Sequence, residues 1–264
     1  MVDFIRDPHG VTVFADGHPQ SHIADDPGFL VFEYMQHLAA VLDLLRPSPP
    51  ARLAVTHVGG AGLTLPRYVE HVRPGSPQIV LEPDAALTEA VRAAAPLPRG
   101  HRIRVRATTG EDGVSALRPG TADALVLDAF TAGTVPAEVT MLEFLTPAAS
   151  VLRPGGVFAA NLYDEPGLRY VTRVSATVGA AGLPHRAVVA THDVLKGRRG
   201  GNLVLVASAE ELDVAELTRR LRRAPIPTGL RTDIVRRPSG AALLTRDDPM
   251  PSPTAPDPGR WRVR

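Results

Sequence analysis

The chain has 264 residues, which is enough for one large α/β domain with a small appendage. Its 29 basic and 28 acidic residues nearly cancel, which argues against a nucleic-acid-binding protein. It has no cysteine, which excludes disulfides and a cysteine nucleophile. The first ten residues are charged and no apolar run is long enough to span a bilayer, so we expect a cytoplasmic protein without a signal peptide or a membrane segment.

The N-terminal part of the chain predicts a small unit of its own. Apolar and polar residues alternate over 9–23, which is typical of a short β unit. Residues 29–45 are densely apolar and predict a buried helix, which the proline-rich stretch 47–50 ends. We therefore assign residues 1–46 to an N-terminal β unit with one helix.

The middle of the chain, residues 47–224, alternates short apolar segments with helical patterns. The predicted strands cover residues 53–58, 78–81, 103–106, 124–127, 157–161, 186–190 and 202–207. Such alternation is typical of a parallel sheet covered by helices on both faces. We predict an α/β fold with a doubly wound, mostly parallel sheet of about seven strands. Residues 225–264 contain eight prolines and are predicted to form a disordered tail.

Small or polar residues interrupt the pattern where five successive strands end. In such sheets, ligands bind at the carboxyl ends of the strands, near the point where the strand order reverses. Because these ends meet at one edge of the sheet, we expect the residues there to converge. They are the glycine turn Gly59, Gly60, Ala61 and Gly62, then Glu82, Asp112, Asp128 and Asn161.

The first of these features suggest a nucleoside site. The glycine turn lets a ligand approach the backbone, and the helix after it offers free N–H groups, although the spacing is not that of the dinucleotide fingerprint. Glu82, about twenty residues further on, can accept hydrogen bonds from the ribose hydroxyls of an adenosine, or it is a solvated strand-end acid. Asp112 can accept from an adenine amino group, or it caps the turn at Gly113.

Asp128 is the candidate for acid–base chemistry. It follows a fully apolar strand and is placed to take a proton from a nucleophile or to hold a cationic substrate. The segment 129–136 after it is loop-like and is a candidate lid. His18 and His22 are separated by Pro19, which argues against a metal-binding helix face, so we expect no metal.

Five motifs follow one another in a distinctive order. They are Val-Thr-His-Val-Gly-Gly-Ala-Gly-Leu-Thr-Leu-Pro-Arg-Tyr, Val-Leu-Glu-Pro-Asp, Glu-Asp-Gly, Val-Leu-Asp-Ala-Phe and Leu-Arg-Pro-Gly-Gly-Val. With the preceding Phe-Ala-Asp-Gly-His-Pro-Gln-Ser, they make residues 11–208 resemble the spermidine synthase (polyamine aminopropyltransferase) family, and most closely its spermidine-synthase-like branch in GC-rich bacteria. The nucleotide-binding half of that family is shared with class I S-adenosylmethionine-dependent methyltransferases, which implies a Rossmann-like fold.

The resemblance implies a donor and a product. The donor would be decarboxylated S-adenosylmethionine, the product methylthioadenosine, and the acceptor a small-molecule amine. Glu82 would hold the ribose of the donor, and Asp112 with Gly113 would hold its adenine.

The resemblance also implies roles around the reacting atoms. Asp128 would deprotonate the attacking amine, Gln20 matches a family glutamine near the donor, and Asn161 stands where the family often has glutamine. Because family members usually form dimers, a homodimer is expected, with neither nucleic acid nor membrane as a partner.

Two departures from the family pattern concern charge. Gly62 stands where the family has an aspartate in the glycine turn, and Thr131 stands where it has a second aspartate after Asp128. A polyamine is a chain of ammonium groups, so losing two carboxylates weakens its attraction to the site. The donor therefore stays open between the decarboxylated and the intact compound. A methyltransferase acting on a small molecule and a non-catalytic nucleoside-binding relative are the alternatives.

Overall fold

The structure, a computed structural model, describes residues 2–15, 18–60, 62–234 and 242–255. The strands are β1 (Val2–Asp7), β2 (Gly10–Ala15), β3 (His18–Ala24), β4 (Val55–Val58), β5 (Gln78–Leu81), β6 (Ile103–Arg106), β7 (Ala122–Leu127), β8 (Leu152–Asp164), β9 (His185–Thr191), β10 (Gly201–Ser208) and β11 (Thr228–Arg231). The helices are α1 (Glu33–Leu44), α2 (Thr64–Val72), α3 (Ala85–Ala94), α4 (Gly110–Ser115), α5 (Leu142–Val151), α6 (Arg169–Ala180), α7 (His192–Leu195) and α8 (Val214–Leu221), with a 3-10 turn over Ala137–Val139.

The large sheet confirms the predicted α/β fold. Its strand order is β11-β9-β10-β8-β7-β4-β5-β6, and the five strands from β8 to β6 are parallel. The other three strands, β10, β9 and β11, are antiparallel to their neighbours. The chain order reverses between β4 and β7, which places the expected ligand crevice at the carboxyl ends of these two strands.

Helices cover both faces of this sheet. On one face, Leu38 and Leu42 of α1 share a buried cluster with residues of α2 and α8. On the other face, Phe144 of α5 and Tyr170 of α6 belong to a second buried cluster. The apolar strands between them face helices on both sides, which explains why their sequences are continuously apolar rather than alternating. Among the described residues, no helix is long and apolar enough to cross a membrane.

The small antiparallel sheet β1-β2-β3 packs against the edge of the domain next to β5 and β6. Val13 and Ile23 from this sheet share a buried cluster with Val80 of β5, Val91 of α3 and Ile103 of β6. This packing lays β3 across the domain near the beginning of α2. The N-terminal unit expected from the sequence therefore forms part of the wall of the crevice.

Part of the segment predicted to be a disordered tail, residues 225–264, is ordered against the domain. Strand β11 adds an eighth strand to the sheet, beyond the boundary that the sequence suggested at residue 224. Leu244 is fully buried: its N–H donates to the Thr177 hydroxyl at 2.9 Å, and its carbonyl accepts from Leu142 N at 2.9 Å. We call residues 242–255 the C-terminal strap. Residues 235–241 and 256–264 lie outside the described part of the chain.

The C-terminal strap ends on the loop that follows β7. Val135 N donates to the Ser252 hydroxyl at 2.7 Å, and Ser252 N donates to the Val135 carbonyl at 3.3 Å. Ala255 N donates to the Gly133 carbonyl at 2.9 Å. The loop 129–136, a candidate lid in the sequence, is thus hydrogen-bonded to a segment more than 110 residues away in the chain.

Candidate active site

Asp128 lies where the two central strands end. Its backbone N–H donates to the Val58 carbonyl at 2.9 Å, so the chain leaves β7 directly beside β4. Gly59 has a φ of +79°, and a Cβ there would fall 2.4 Å from the Asp128 carbonyl oxygen, so only glycine fits. The backbones of Gly59 and Asp128 are therefore in direct contact at the point where the strand order reverses, whereas Ala61 of the glycine turn lies outside the described residues.

The carboxyl group of Asp128 is held by an amide. Asn161 of β8 is buried, and its Nδ2 donates to Asp128 Oδ1 at 2.8 Å. Burial raises the pKa of Asp128 to about 6, while the hydrogen bond from Asn161 lowers it. A carboxylate with a pKa close to neutral pH is suited to accept a proton from a nucleophile.

An aromatic pair stands at the beginning of α1, and one of its members, Tyr34, interacts electrostatically with Asp128. The rings of Phe32 and Tyr34 are stacked with centroids 5.7 Å apart. Burial first, and then the negative charges of Asp128 and Glu33, hold the pKa of the Tyr34 phenol well above its usual range. Tyr34 is therefore a neutral hydroxyl within electrostatic reach of Asp128, and aromatic faces together with a carboxylate favour a cation.

The structure explains why residue 62 is a glycine. A Cβ on Gly62 would lie 2.2 Å from the Ser21 hydroxyl oxygen and 2.5 Å from the Ser21 Cβ, so β3 occupies this space. The Ser21 hydroxyl is 2.8 Å from that of Thr64, which donates to the His22 carbonyl at 2.9 Å. Gln20 directly precedes Ser21 in β3, and its place near the donor stays a prediction from the resemblance.

We expect Gly62→Asp to lower the free energy of unfolding by about 1–3 kcal/mol, because the new side chain overlaps Ser21 in a packed region. The double variant Ser21→Gly with Gly62→Asp is expected to regain most of this loss, since it removes both overlapping atoms. Urea unfolding of the two single variants and the double variant measures the coupling between the sites. Additive losses would contradict the contact.

Glu82 directly follows β5, which is the strand next to β4 in the sheet. Its backbone N–H donates to the Arg106 carbonyl at 3.1 Å, and its Oε1 accepts from Asp84 N at 3.1 Å. Burial raises the pKa of the half-buried Glu82 carboxyl, opposed by that hydrogen bond and assisted by the Asp84 charge. The carboxylate therefore lies on the same edge as the glycine turn, two strands away from Asp128.

Asp112 and Gly113 lie in the first turn of α4, on the far side of Glu82. The Thr109 hydroxyl caps this helix by accepting from Asp112 N at 3.2 Å, and it donates to Asp112 Oδ2 at 3.0 Å. Asp112 is exposed, and the cap of this helix is Thr109 rather than Asp112, whose carboxylate accepts from the Thr109 hydroxyl. A Cβ on Gly113 would lie 2.7 Å from the Leu81 methyl carbons, so Gly113 allows α4 to pack closely on β5.

Thr131 is not brought to Asp128 by any contact of the described residues. Its N–H donates to the Thr134 carbonyl at 2.8 Å and its carbonyl accepts from Thr134 N at 3.0 Å, which closes a tight exposed turn. The position at which the resemblance implies a second aspartate is therefore exposed within this turn.

Ser252→Ala is expected to loosen the loop 129–136 with little effect on the whole domain. The variant leaves the buried Val135 N–H without its acceptor, which costs about 1–3 kcal/mol locally. Hydrogen exchange should accelerate at Val135 while core strands keep their protection. Ser150→Ala removes an exposed hydroxyl that donates to the Pro147 carbonyl, so it serves as a control that leaves Val135 unchanged. Unchanged exchange at Val135 in Ser252→Ala would contradict the proposed strap contact.

Three residues of this site were not predicted from the sequence: Ser21, Tyr34 and Asn202. Asn202 Nδ2 donates to Asn161 Oδ1 at 3.0 Å. The sequence offered one indication that these two residues belong together: Asn161 and Asn202 are the only two asparagines in the chain. Among the described residues, no group of three or more histidine, aspartate or glutamate side chains could hold a metal ion.

Comparisons with known proteins place this geometry among related structures. No protein-family model and no curated protein matches the chain. A probable spermidine synthase from Corynebacterium glutamicum is 29% identical over 92% of both chains, with a TM-score of 0.83. A spermidine synthase in complex with the transition state analogue AdoDATO is 17% identical over 84% of this chain and 73% of its own, with a TM-score of 0.60.

The fold is shared with a methyltransferase as well. Human methyltransferase-like protein 13, in complex with SAH, is 24% identical over 80% of this chain and 95% of its own, with a TM-score of 0.58. The fold class expected from the sequence, a methyltransferase-like sheet with a small N-terminal β unit, is confirmed. The resemblance of the chain to spermidine synthases, with the methyltransferase nucleotide fold, is likewise confirmed.

Proposed function

We propose that this protein transfers the aminopropyl group of decarboxylated S-adenosylmethionine to a small-molecule amine. The observation that carries the proposal is the Asp128 carboxyl, which has a pKa of about 6, accepts a hydrogen bond from Asn161 and follows β7 at the reversal of strand order. The likeness to a probable spermidine synthase over 92% of the chain supports the same reaction class.

The proposed reaction is a single displacement. The amine nitrogen attacks the aminopropyl carbon bound to the sulfonium, the carbon–sulfur bond breaks, and its electron pair leaves with sulfur as neutral methylthioadenosine. The proton released by the nitrogen passes to the Asp128 carboxylate. Such a reaction needs alignment of nitrogen and carbon and one base, both of which side chains of this chain can provide.

The remaining residues of the edge would bind the donor. Glu82 would accept from the ribose hydroxyls, the glycine turn with Gln20 would adjoin the sulfonium end, and Asp112 with Gly113 would adjoin the adenine. Asn161 would hold the Asp128 carboxylate toward the amine, and Thr131 would lie at the outer end of the acceptor path. The proposal requires no metal.

Methyl transfer from intact S-adenosylmethionine is the second candidate. The observation that favours it is the Gly62–Ser21 contact, because a hydroxyl and a glycine stand where a carboxylate could bind the aminopropyl ammonium and repel the donor carboxylate. Without that acid, charge alone discriminates less between the two donors. The methyltransferase that shares this fold was solved with SAH.

Calorimetric titration of the purified protein with decarboxylated S-adenosylmethionine, S-adenosylmethionine and methylthioadenosine separates these functions. Tight binding of the first and third, followed by transfer of labelled aminopropyl groups to an amine, is the expected result. Preference for intact S-adenosylmethionine, with methyl transfer, would replace the proposal by the second candidate. Binding of none of the three would indicate a non-catalytic relative. The homodimer and the cytoplasmic location remain predictions from the sequence.

A further inference from the structure

The chain has two asparagines, and the structure places both beside the candidate base. Asn202 Nδ2 donates to Asn161 Oδ1 at 3.0 Å, and Asn161 Nδ2 donates to Asp128 Oδ1 at 2.8 Å. Asn161 is 1% exposed, whereas Asn202 is half-buried. The two amides form a chain of hydrogen bonds that begins near the surface and ends at the Asp128 carboxyl.

Sheet geometry puts these three side chains on one face. Leu127, which precedes Asp128, pairs with Ala160, which precedes Asn161, so Asp128 and Asn161 are neighbours across β7 and β8. Val204 pairs with Asn161 across β8 and β10. Asn202 lies two residues before Val204 and therefore on the same face, at the diagonal position.

The orientation of the Asn161 amide depends on its second neighbour. An amide can present either its oxygen or its NH2 group to a given side, and only the NH2 group stabilises a carboxylate. The donor from Asn202 requires the Asn161 oxygen on its side, which turns the Asn161 NH2 group toward Asp128. With the Asn202 NH2 group on that side, the opposite orientation of Asn161 would set two NH2 groups against each other and an amide oxygen against the carboxylate.

We propose that Asn202 is a positioning residue that fixes the Asn161 amide so that it donates to the Asp128 carboxylate. Its catalytic consequence rests on the function proposed above, because the base would be correctly oriented and held ionised for the amine. The hydrogen-bond relay itself is a property of the folded protein and can be measured without substrate.

The titratable groups near Asp128 do not replace the Asn161 amide as its hydrogen-bond partner. Tyr34, from α1, interacts with Asp128 electrostatically, and its phenol stays neutral because its pKa is held well above its usual range. Glu33 acts on Tyr34 by its charge. The glycine turn after β4, which packs on the Asp128 backbone, carries no titratable side chain.

The test uses side-chain amide NMR. With asparagine labelled by 15N, the full chain gives two NH2 groups, which Asn202→Ala and Asp128→Asn assign. In the wild type, the Asn161 NH2 signals should shift with pH, with a midpoint of about 6, and Asp128→Asn should abolish this titration. In Asn202→Ala, the midpoint should rise to about 7 and the amplitude should fall, since a hydrogen bond to a charged group is weakened.

Two further variants complete the test. Asn202→Ser is smaller and neutral and should act like Asn202→Ala. Ser208→Ala removes a hydrogen bond from the other end of β10, to the Gly156 carbonyl at 3.0 Å, and should leave the midpoint unchanged. An Asn161 titration that is identical in the wild type, Asn202→Ala and Asn202→Ser would overturn the proposal.

Activity separates this proposal from the proposed function. If aminopropyl transfer occurs, the acidic limb of kcat/KM should move to higher pH in Asn202→Ala, with up to about 10-fold loss at pH 6 and recovery at high pH. A purely structural role would instead lower the rate equally at all pH values and would overturn the catalytic part. If no transfer occurs but the NMR titration moves as expected, the proposed function fails and the positioning role of Asn202 stands.

Discussion

Asp128→Asn is expected to lower the rate of aminopropyl transfer by about 100- to 10,000-fold, the range typical of a general base. Asparagine keeps the shape of the side chain and can still accept from Asn161 Nδ2, which is 2.8 Å from Oδ1 in the wild type. The loss therefore reports the missing proton acceptor rather than a changed site. Methylthioadenosine release under saturating donor and amine measures it.

The same variant is expected to be more stable than the wild type at neutral pH. Burial raises the pKa of Asp128 from an ordinary 3.8 to about 6, so the folded state binds this proton more tightly than the unfolded state does. The resulting stabilisation is fully present below about pH 4 and is lost as the pH rises through 6. Above that pH, the ionised carboxylate costs up to about 3 kcal/mol, which asparagine avoids.

Thermal unfolding of both proteins at pH 4 and pH 8 checks this sign. The variant should gain stability over the wild type at pH 8, and the difference should shrink at pH 4. Asp193→Asn is a matched control, because Asp193 is exposed and paired with Arg198, and it should change neither rate nor stability. Loss of stability in Asp128→Asn at pH 8 would assign the carboxylate a structural role instead.

The pH dependence of wild-type activity should reflect the ionisation of Asp128. Since the carboxylate is the active form, kcat/KM should fall tenfold per pH unit below about 6 and level off above it. A profile without an acidic limb near this pH would contradict Asp128 as the base.

The residues at the carboxyl ends of parallel strands could be placed from the sequence. Each of three features follows a short apolar strand: the glycine turn, Glu82 and Asp128. Parallel strands bring their carboxyl ends to one edge of the sheet. Asn202 could not be found by that rule because β10 is antiparallel to β8, so its beginning meets this edge. Strand direction depends on the connections between elements, which the apolar pattern of 202–207 does not encode.

Contacts between distant parts of the chain account for the other differences. In the sequence, Gly62 stands where the resemblance implies an aspartate. The structure shows that Ser21 occupies the space that a side chain at this position would need. The C-terminal strap and β11 have no periodic pattern, because hydrogen bonds to other elements hold them rather than a buried face of their own. Proline content predicted disorder there, but proline removes only its own N–H, and the strap is held through other residues such as Leu244.

Arg73→Met is expected to lower the free energy of unfolding by about 3–5 kcal/mol, the largest stability effect that we expect from one substitution. The Arg73 side chain is completely buried at the end of α2. Its guanidinium donates to four carbonyls: Nη1 to Pro47 and Ala51, both at 2.7 Å, and Nη2 to Leu42 at 3.2 Å and Leu45 at 3.0 Å.

These acceptors explain why the loss is large. Leu42 lies in the last turn of α1 and Leu45 is its C-cap residue, where carbonyls lack the donors four residues ahead; the Leu42 carbonyl also accepts from Leu45 N at 3.3 Å. Pro47 and Ala51 lie in the connection to the large sheet, so a single guanidinium joins the N-terminal unit to the sheet domain. Methionine fills much of the volume but donates nothing, and each buried carbonyl left without a donor is costly.

Urea unfolding measures this effect, with a lower midpoint and an unchanged slope as the expected result. Arg52→Met is the control: Arg52 is exposed, donates to the Pro74 carbonyl at 3.3 Å, and should change stability by less than about 0.5 kcal/mol. Arg73→Lys should fall between the two, because one ammonium has three donors and no fixed fork to serve four acceptors. Equal stability of Arg73→Met and Arg52→Met would mean that water satisfies the carbonyls of α1 and that the guanidinium does not hold the N-terminal unit to the sheet.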